Sequence, residues 1–186
     1  SAIPVIQDEG VRSNLYSKVL PLVSALPTQL EAESGASLAQ PGIHVDFYQP
    51  SIGNVDINNL NKLTPKESGI ADHIGFDVPQ RKADDAFALK FSGYIRVDQP
   101  GRYTFHISSD DGSRVYINET ELINNDGLHG PILKAAAIDL AAGSHKLDVT
   151  YFDNGGGDFL SFEWSGPGIN KQPIPKNRLS VTSAET

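Results

Sequence analysis

Two short stretches carry side chains that could do chemistry: Asp110-Asp111-Gly112 and Asp153-Asn154-Gly155-Gly156-Gly157-Asp158-Phe159. Adjacent carboxylates repel, so a chain that keeps two together usually has something to hold them. A hard divalent cation does this, because calcium takes about six to eight oxygen ligands from carboxylates, carbonyls and hydroxyls. Three consecutive glycines let the backbone turn sharply and present carbonyl oxygens to a ligand. Each stretch also has a plainer reading. Asp-Gly between two alternating runs is a common hairpin signal, and a glycine run can be a hairpin tip.

The elements that must position these residues read as strands. Tyr103, Phe105 and Ile107 alternate with Thr104, His106 and Ser108, and Val115 and Ile117 resume the two-residue period beyond the acidic corner. A strand, a tight corner and a second strand are therefore expected over 103–118, entered by the turn Gln99-Pro100-Gly101. Ile43, Val45 and Phe47 predict an earlier strand. Phe87, Leu89, Phe91, Ile95 and Val97 share one parity and predict another, with Gly93 as a bulge or bend. Glu121 to Ile123, Ile138 with Leu140, Leu147 to Tyr151, and Leu160 to Trp164 continue the pattern. Trp164 falls on the apolar parity and belongs to the core. The stretch 50–84 is polar, holds Asn54, Asp56, Asn58, Asn59 and Asn61, and reads as a long functional or edge-covering loop. The exit from Pro167 to Asn177 is proline-rich, with Ile174 pairing at an edge. About eight to ten such strands predict an all-β, antiparallel sandwich or barrel. Before it, residues 1–40 read as an extension or linker with a short helix at about 11–19, leaving one globular domain over 41–186.

Composition narrows the function classes. A net charge of -8, with no Lys/Arg run longer than a pair, argues against nucleic acid or an anionic membrane. No apolar run is long enough to span a bilayer. Cysteine is absent, which removes disulfide frameworks and thiolate metal sites. The start, Ser1-Ala2-Ile3-Pro4, lacks the features of a signal peptide. A chain that begins at Ser1 and holds no methionine reads as a segment of something longer. The 23 acidic residues guarantee some neighbouring pairs, but no Ser-His-Asp signature or phosphate loop appears. His44, His73, His106, His129 and His145 are scattered without ligand spacing, so no catalytic residue is assigned. Asn118-Glu119-Thr120 fits the glycosylation pattern and is read as a chance match.

The stretch Tyr103-x-Phe105, Ser109-Asp110-Asp111-Gly112 and Val115-x-Ile117 resembles the carbohydrate-binding domain family named after the anthrax toxin protective antigen. That family includes lectin domains of yeast flocculins and epithelial adhesins, inserts in glycosidases, and modules of bacterial adhesins. The resemblance extends to Asp98-Gln99-Pro100-Gly101, to Asn125-Asp126-Gly127-Leu128-His129-Gly130, and to Leu140-Ala141-Ala142-Gly143-Ser144-His145. It ends with Tyr151-Phe152-Asp153-Asn154-Gly155-Gly156-Gly157, and covers roughly 42–180 in order.

The resemblance implies a cis peptide between Asp110 and Asp111, which aims both carboxylates at one point. It also implies that Ca2+ takes the side-chain oxygen of Asn154 and the main-chain oxygens of Gly156 and Asp158. Two vicinal hydroxyls of a terminal monosaccharide would complete the coordination, with Gly157, His129 and Gln49 as further sugar contacts and Asp126 bordering the site. The implied protein is a calcium-dependent lectin domain of a larger secreted adhesin, monomeric within a multidomain chain and binding cell-surface glycans or polysaccharide. Two rivals remain: a scaffold of the same fold that binds proteins, and an accessory carbohydrate-binding domain of a glycosidase.

Overall fold

The computed structural model describes residues 39–51 and 53–183. The helix expected at about 11–19 lies outside the described residues. Within them the chain forms, in order, β1 (Ile43–Tyr48), a one-turn helix α1 (Ile57–Leu60), β2 (Glu67–Ala71), β3 (Phe87–Val97), β4 (Gly101–Asp110) and β5 (Ser113–Ile117). Then come β6 (Thr120–Asn125), β7 (Ile132–Leu140), β8 (Gly143–Asp153), β9 (Phe159–Gly166), β10 (Ile169–Pro173), a 3-10 turn (Lys176–Arg178) and β11 (Leu179–Ser180).

These strands make two open antiparallel sheets. One has the order β2-β1-β3-β8-β5-β6, with β11 also pairing β3; the other has the order β10-β9-β4-β7. Neither closes on itself, so the domain is a sandwich and not a barrel. Alternation puts the apolar side chains between the sheets. Tyr103 stacks on Trp164 with centroids 5.6 Å apart, and Phe105 stacks on Phe162 at 5.9 Å. Phe87 meets Tyr151 edge-on at 5.9 Å. All these rings are buried, and each contributes about 1.5–3 kcal/mol of apolar transfer. The core position expected for Trp164 is what the structure shows.

Three expectations change. The stretch 50–84 is not one loop: it contains α1 and β2. Its first part covers the outer face of the larger sheet, where Val55 and Leu60 pack with Tyr48, Ala88 and Phe152 and the Thr150 hydroxyl donates to the Val55 carbonyl at 2.7 Å. The Asp56 carboxylate accepts from the Asn58 amide to cap the short helix. Gly93 is not a bulge, because β3 pairs β8 without a register shift. A Cβ at Gly93 would lie 2.6 Å from the Ser180 carbonyl oxygen, so it is glycine that lets β11 approach. Ile174 lies just beyond β10 and is buried in the core; it does not pair at an edge.

A tight hairpin joins β5 to β6. Asn118 and Glu119 hold φ of 48° and 66°, the two left-handed residues of a mirror-image two-residue turn. The Asn118 side chain is spent there: its oxygen accepts from the Lys146 amide at 3.0 Å and its nitrogen lies 2.9 Å from His145 Nδ1.

Candidate functional site

The corner at Asp110-Asp111-Gly112 is not a hairpin. β4 ends at Asp110 in the four-stranded sheet, and β5 starts at Ser113 in the seven-stranded one. The glycine stretch makes the opposite crossing, from β8 to β9. Register then brings the two crossings together. Asp110 pairs with Phe159, Ser113 pairs with Tyr151, and the Phe152 amide donates to the Gly112 carbonyl at 2.9 Å. A Cβ at Gly112 would lie 2.5 Å from the Phe152 ring and 2.7 Å from the Gly127 nitrogen, so this close approach requires glycine.

The Asp110–Asp111 peptide bond is cis, as the family resemblance implied. The two carboxylates do different things. Asp111 is buried, and its oxygens accept from the amides of His129 at 3.1 Å and Asn154 at 2.8 Å. It therefore ties the 125–130 loop to the glycine loop. Asp110 has its carbonyl anchored by the Tyr151 hydroxyl at 2.7 Å. Burial, with the negative charge of Asp111, pushes the Asp110 carboxyl above the usual carboxylate range.

The glycine loop lies against these groups. Gly155 and Gly156 hold φ of 145° and 97°, a region that side-chain-bearing residues rarely adopt. A Cβ at Gly157 would sit 3.6 Å from Asp110 Oδ2, which places this backbone beside the carboxylate. The Asn154 residue is exposed at the loop's start. Asp158 is half-buried, and its side chain forms an ion pair with Arg81.

The flanking candidates fare differently. The His129 ring nitrogens each lie 2.8 Å from a carbonyl oxygen, of Gly130 and of Asn125. The ring thus closes its own loop, and the His129 amide donates to the Asp111 carboxylate. Asp126 accepts from the Val55 and Gly127 amides and from Arg114 Nε at 2.8 Å, so its carboxylate is structural. Gln49 is exposed and follows β1 at the same end of the sheet, since Tyr48 pairs with Ala88 and Ala88 with Phe152. It makes no side-chain hydrogen bond to the two corners among the described residues.

Two groups at this end were not singled out by sequence. Asp153 and Asp85 lie with Asp158 so that one oxygen of each falls within 4.8 Å of the others. Asp153 is fully buried. Burial, with the charges of Asp158, Asp111 and Asp85, pushes its carboxyl up to about 6. The signal was in the parity: Asp153 follows Leu147, Val149 and Tyr151 on the inward face of β8.

The donors fit a hard cation. Carboxylates lie together at the two corners, and among the described residues no Lys or Arg forms an ion pair with Asp85, Asp110, Asp111 or Asp153. Arg81 pairs with Asp84 and Asp158 instead. An acidic cluster with this little compensation suits a divalent ion held by oxygen.

Comparisons with known proteins agree with this architecture. The chain is 30% identical over 98 residues to the anti-sigma-I factor RsgI3 of Acetivibrio thermocellus, a match that covers 52% of this chain and 15% of that protein. The PA14 sugar-binding domain of an RTX adhesin superposes with a TM-score of 0.65 at 17% identity, over 76% of this chain and 99% of that one. The epithelial adhesin 6 A domain of Candida glabrata, solved with Galb1-3GlcNAc, superposes with a TM-score of 0.56 at 14% identity, over 82% and 91% of the two chains. At those identities the two structures speak to the fold. Residues 55–178, a span that takes in both inter-sheet corners, match the PA14 domain family, and the chain belongs to that family.

Proposed function

We propose that this chain is a calcium-dependent carbohydrate-binding domain without catalytic activity. The observation that carries the reading is the meeting of two inter-sheet corners at one end of the sandwich, which sets Asp110 and Asp111 beside the 154–158 loop. Asp110 and Asp111 hold the ion through their carboxylates, Asn154 through its side-chain oxygen, and Gly156 and Asp158 through main-chain oxygens. Bound calcium would supply coordination positions for two adjacent hydroxyls of a sugar. The Asp111 carboxylate also orients the site by fixing the amides of His129 and Asn154. Gly157 and Gln49 border the sugar's approach. The likeness to a sugar-binding domain of an RTX adhesin and to the Candida domain solved with a glycan supports the ligand class.

In the adhesin setting the domain is extracellular and acts as one monomeric module of a longer chain, with avidity from many copies offsetting a weak single site. Among the described residues no helix is long and apolar enough to cross a membrane. The match to an anti-sigma-I factor favours a second setting for the same site. There the domain would report a polysaccharide to a regulator of transcription instead of holding surfaces together. Calorimetric titration with monosaccharides, in calcium and then in chelator, tests the binding site common to both. Sugar heat that appears only with calcium supports it. Calcium binding with no sugar response favours a protein-binding scaffold of the same fold. The sequence flanking this segment in its full-length protein separates adhesin, regulator and glycosidase settings.

A further inference from the structure

We infer that the domain holds a second calcium ion, on the carboxylates of Asp85, Asp153 and Asp158. One oxygen from each of these residues lies within 4.8 Å of the others, a span that oxygens around one ion at about 2.4 Å occupy. The independent observation is Asp153. It is 0% exposed, and neither of its carboxylate oxygens meets a donor in hydrogen-bond geometry among the described residues; the Gly155 amide is near enough to favour its charge but not to satisfy that geometry. Buried carboxylates are ordinarily paired, hydrogen-bonded or bound to metal, because an uncompensated buried charge costs several kcal/mol. One Asp153 oxygen belongs to the three-carboxylate group, so the missing partner is one that Asp85 and Asp158 would share.

Charge favours a divalent occupant. Three carboxylates bring three negative charges, and Arg81 supplies one positive charge through its pair with Asp158 Oδ2. Two negative charges are left. Arg81 is itself held in place by the carbonyls of Ala83 and Phe76 and by the Phe87 ring, 4.9 Å from its guanidinium carbon. It engages one oxygen of Asp158 and leaves the other for a ligand. The Gly156 amide donates to Asp85 Oδ1 at 3.2 Å, which ties this group to the backbone that faces Asp110. An ion here would pin the glycine loop through Asp85, whose carboxylate accepts from the Gly156 amide. Asp158 would then serve both ions, its main chain the first and its carboxylate the second.

This inference does not depend on sugar binding, and its test separates the two claims. The protein is dialysed to equilibrium against calcium alone, and bound calcium per chain is counted in wild type, Asp85→Asn and Asp110→Ala. Asp85 is exposed, so its substitution leaves the core intact. The expected counts are two ions in wild type and one in each variant. A wild-type count of one that Asp85→Asn leaves unchanged overturns the second site, and so does a count of two retained in Asp85→Asn. A single wild-type ion lost in Asp85→Asn but kept in Asp110→Ala would support the second site and overturn the first.

Discussion

Asp110 and Asp111 are neighbours with separable duties. The Asp111 carboxylate accepts two main-chain amides from two loops, whereas among the described residues Asp110 makes no such side-chain bond, and it carries a carboxyl displaced upward by burial and by Asp111. Asp110→Ala should therefore abolish sugar binding and remove the calcium held by the Asp110–Asp111 pair, while leaving the melting temperature in chelator at or above the wild-type value. Asp111→Ala should remove the same ion and the sugar as well. It should also lower stability in chelator by about 1–3 kcal/mol, because two amides lose their acceptor. Equal melting temperatures for the two variants in chelator would contradict this division. Gly156 makes a second residue-scale test. Its φ is 97°, and a Cβ there would meet nothing within 4 Å, so substitution acts on conformation alone. Gly156→Ala should weaken calcium roughly 5–30-fold, the equivalent of about 1–2 kcal/mol of backbone strain. Its effect on the melting temperature in chelator should be small. Unchanged calcium affinity, read by calorimetry, would count against the loop's part in the site.

At the scale of elements, pairing within the larger sheet organises charge as well as apolar surface. Asp46 on β1 lies opposite Ser68 on β2 and accepts its hydroxyl at 2.6 Å, with His44 Nε2 at 2.9 Å and Lys90 Nζ at 3.4 Å. Burial opposes its charge, but the Ser68 and His44 hydrogen bonds and the two positive neighbours outweigh burial, and the carboxyl is held below the usual carboxylate range. A depressed folded value means that the unfolded chain takes up the proton first as pH falls. The stabilisation is complete above the unfolded value of about 3.9 and is lost as pH drops through the lower folded value. Ser68→Ala should thus lower the melting temperature at pH 7 and shrink the further loss between pH 4 and pH 2. Parallel pH profiles for the two proteins would contradict it. Parity made such strands legible from sequence: β3 runs from Phe87 to Val97 as expected because its inward positions are all apolar. Parity within a strand does not say which sheet the strand joins, which is why the Asp110–Gly112 corner looked like a hairpin turn when it is a crossing. Asp153 was read as the start of a loop because it adjoins Asn154 and three glycines. It is the last inward residue of β8.

For the molecule as a whole, the two sheets and the site have one explanation. Strands β4, β5, β8 and β9 pair so that both crossings land at one end, and the sandwich core fixes that end rigidly. Five aspartates lie there, Asp85, Asp110, Asp111, Asp153 and Asp158, of which Asp158 is paired with Arg81. The all-β sandwich and the residues of the two corners were within reach of the sequence, although the strands of the described residues number eleven where about eight to ten were expected. The helix and strand hidden in the 50–84 stretch were not, since short polar segments held by tertiary contacts show no period of their own. The central claim is that sugar binds through calcium at these corners. Calorimetric titration of the domain with a monosaccharide panel, first in calcium and then in chelator, tests it most directly. The account predicts heat with at least one sugar in calcium and none in chelator, and sugar heat that survives chelation would contradict it.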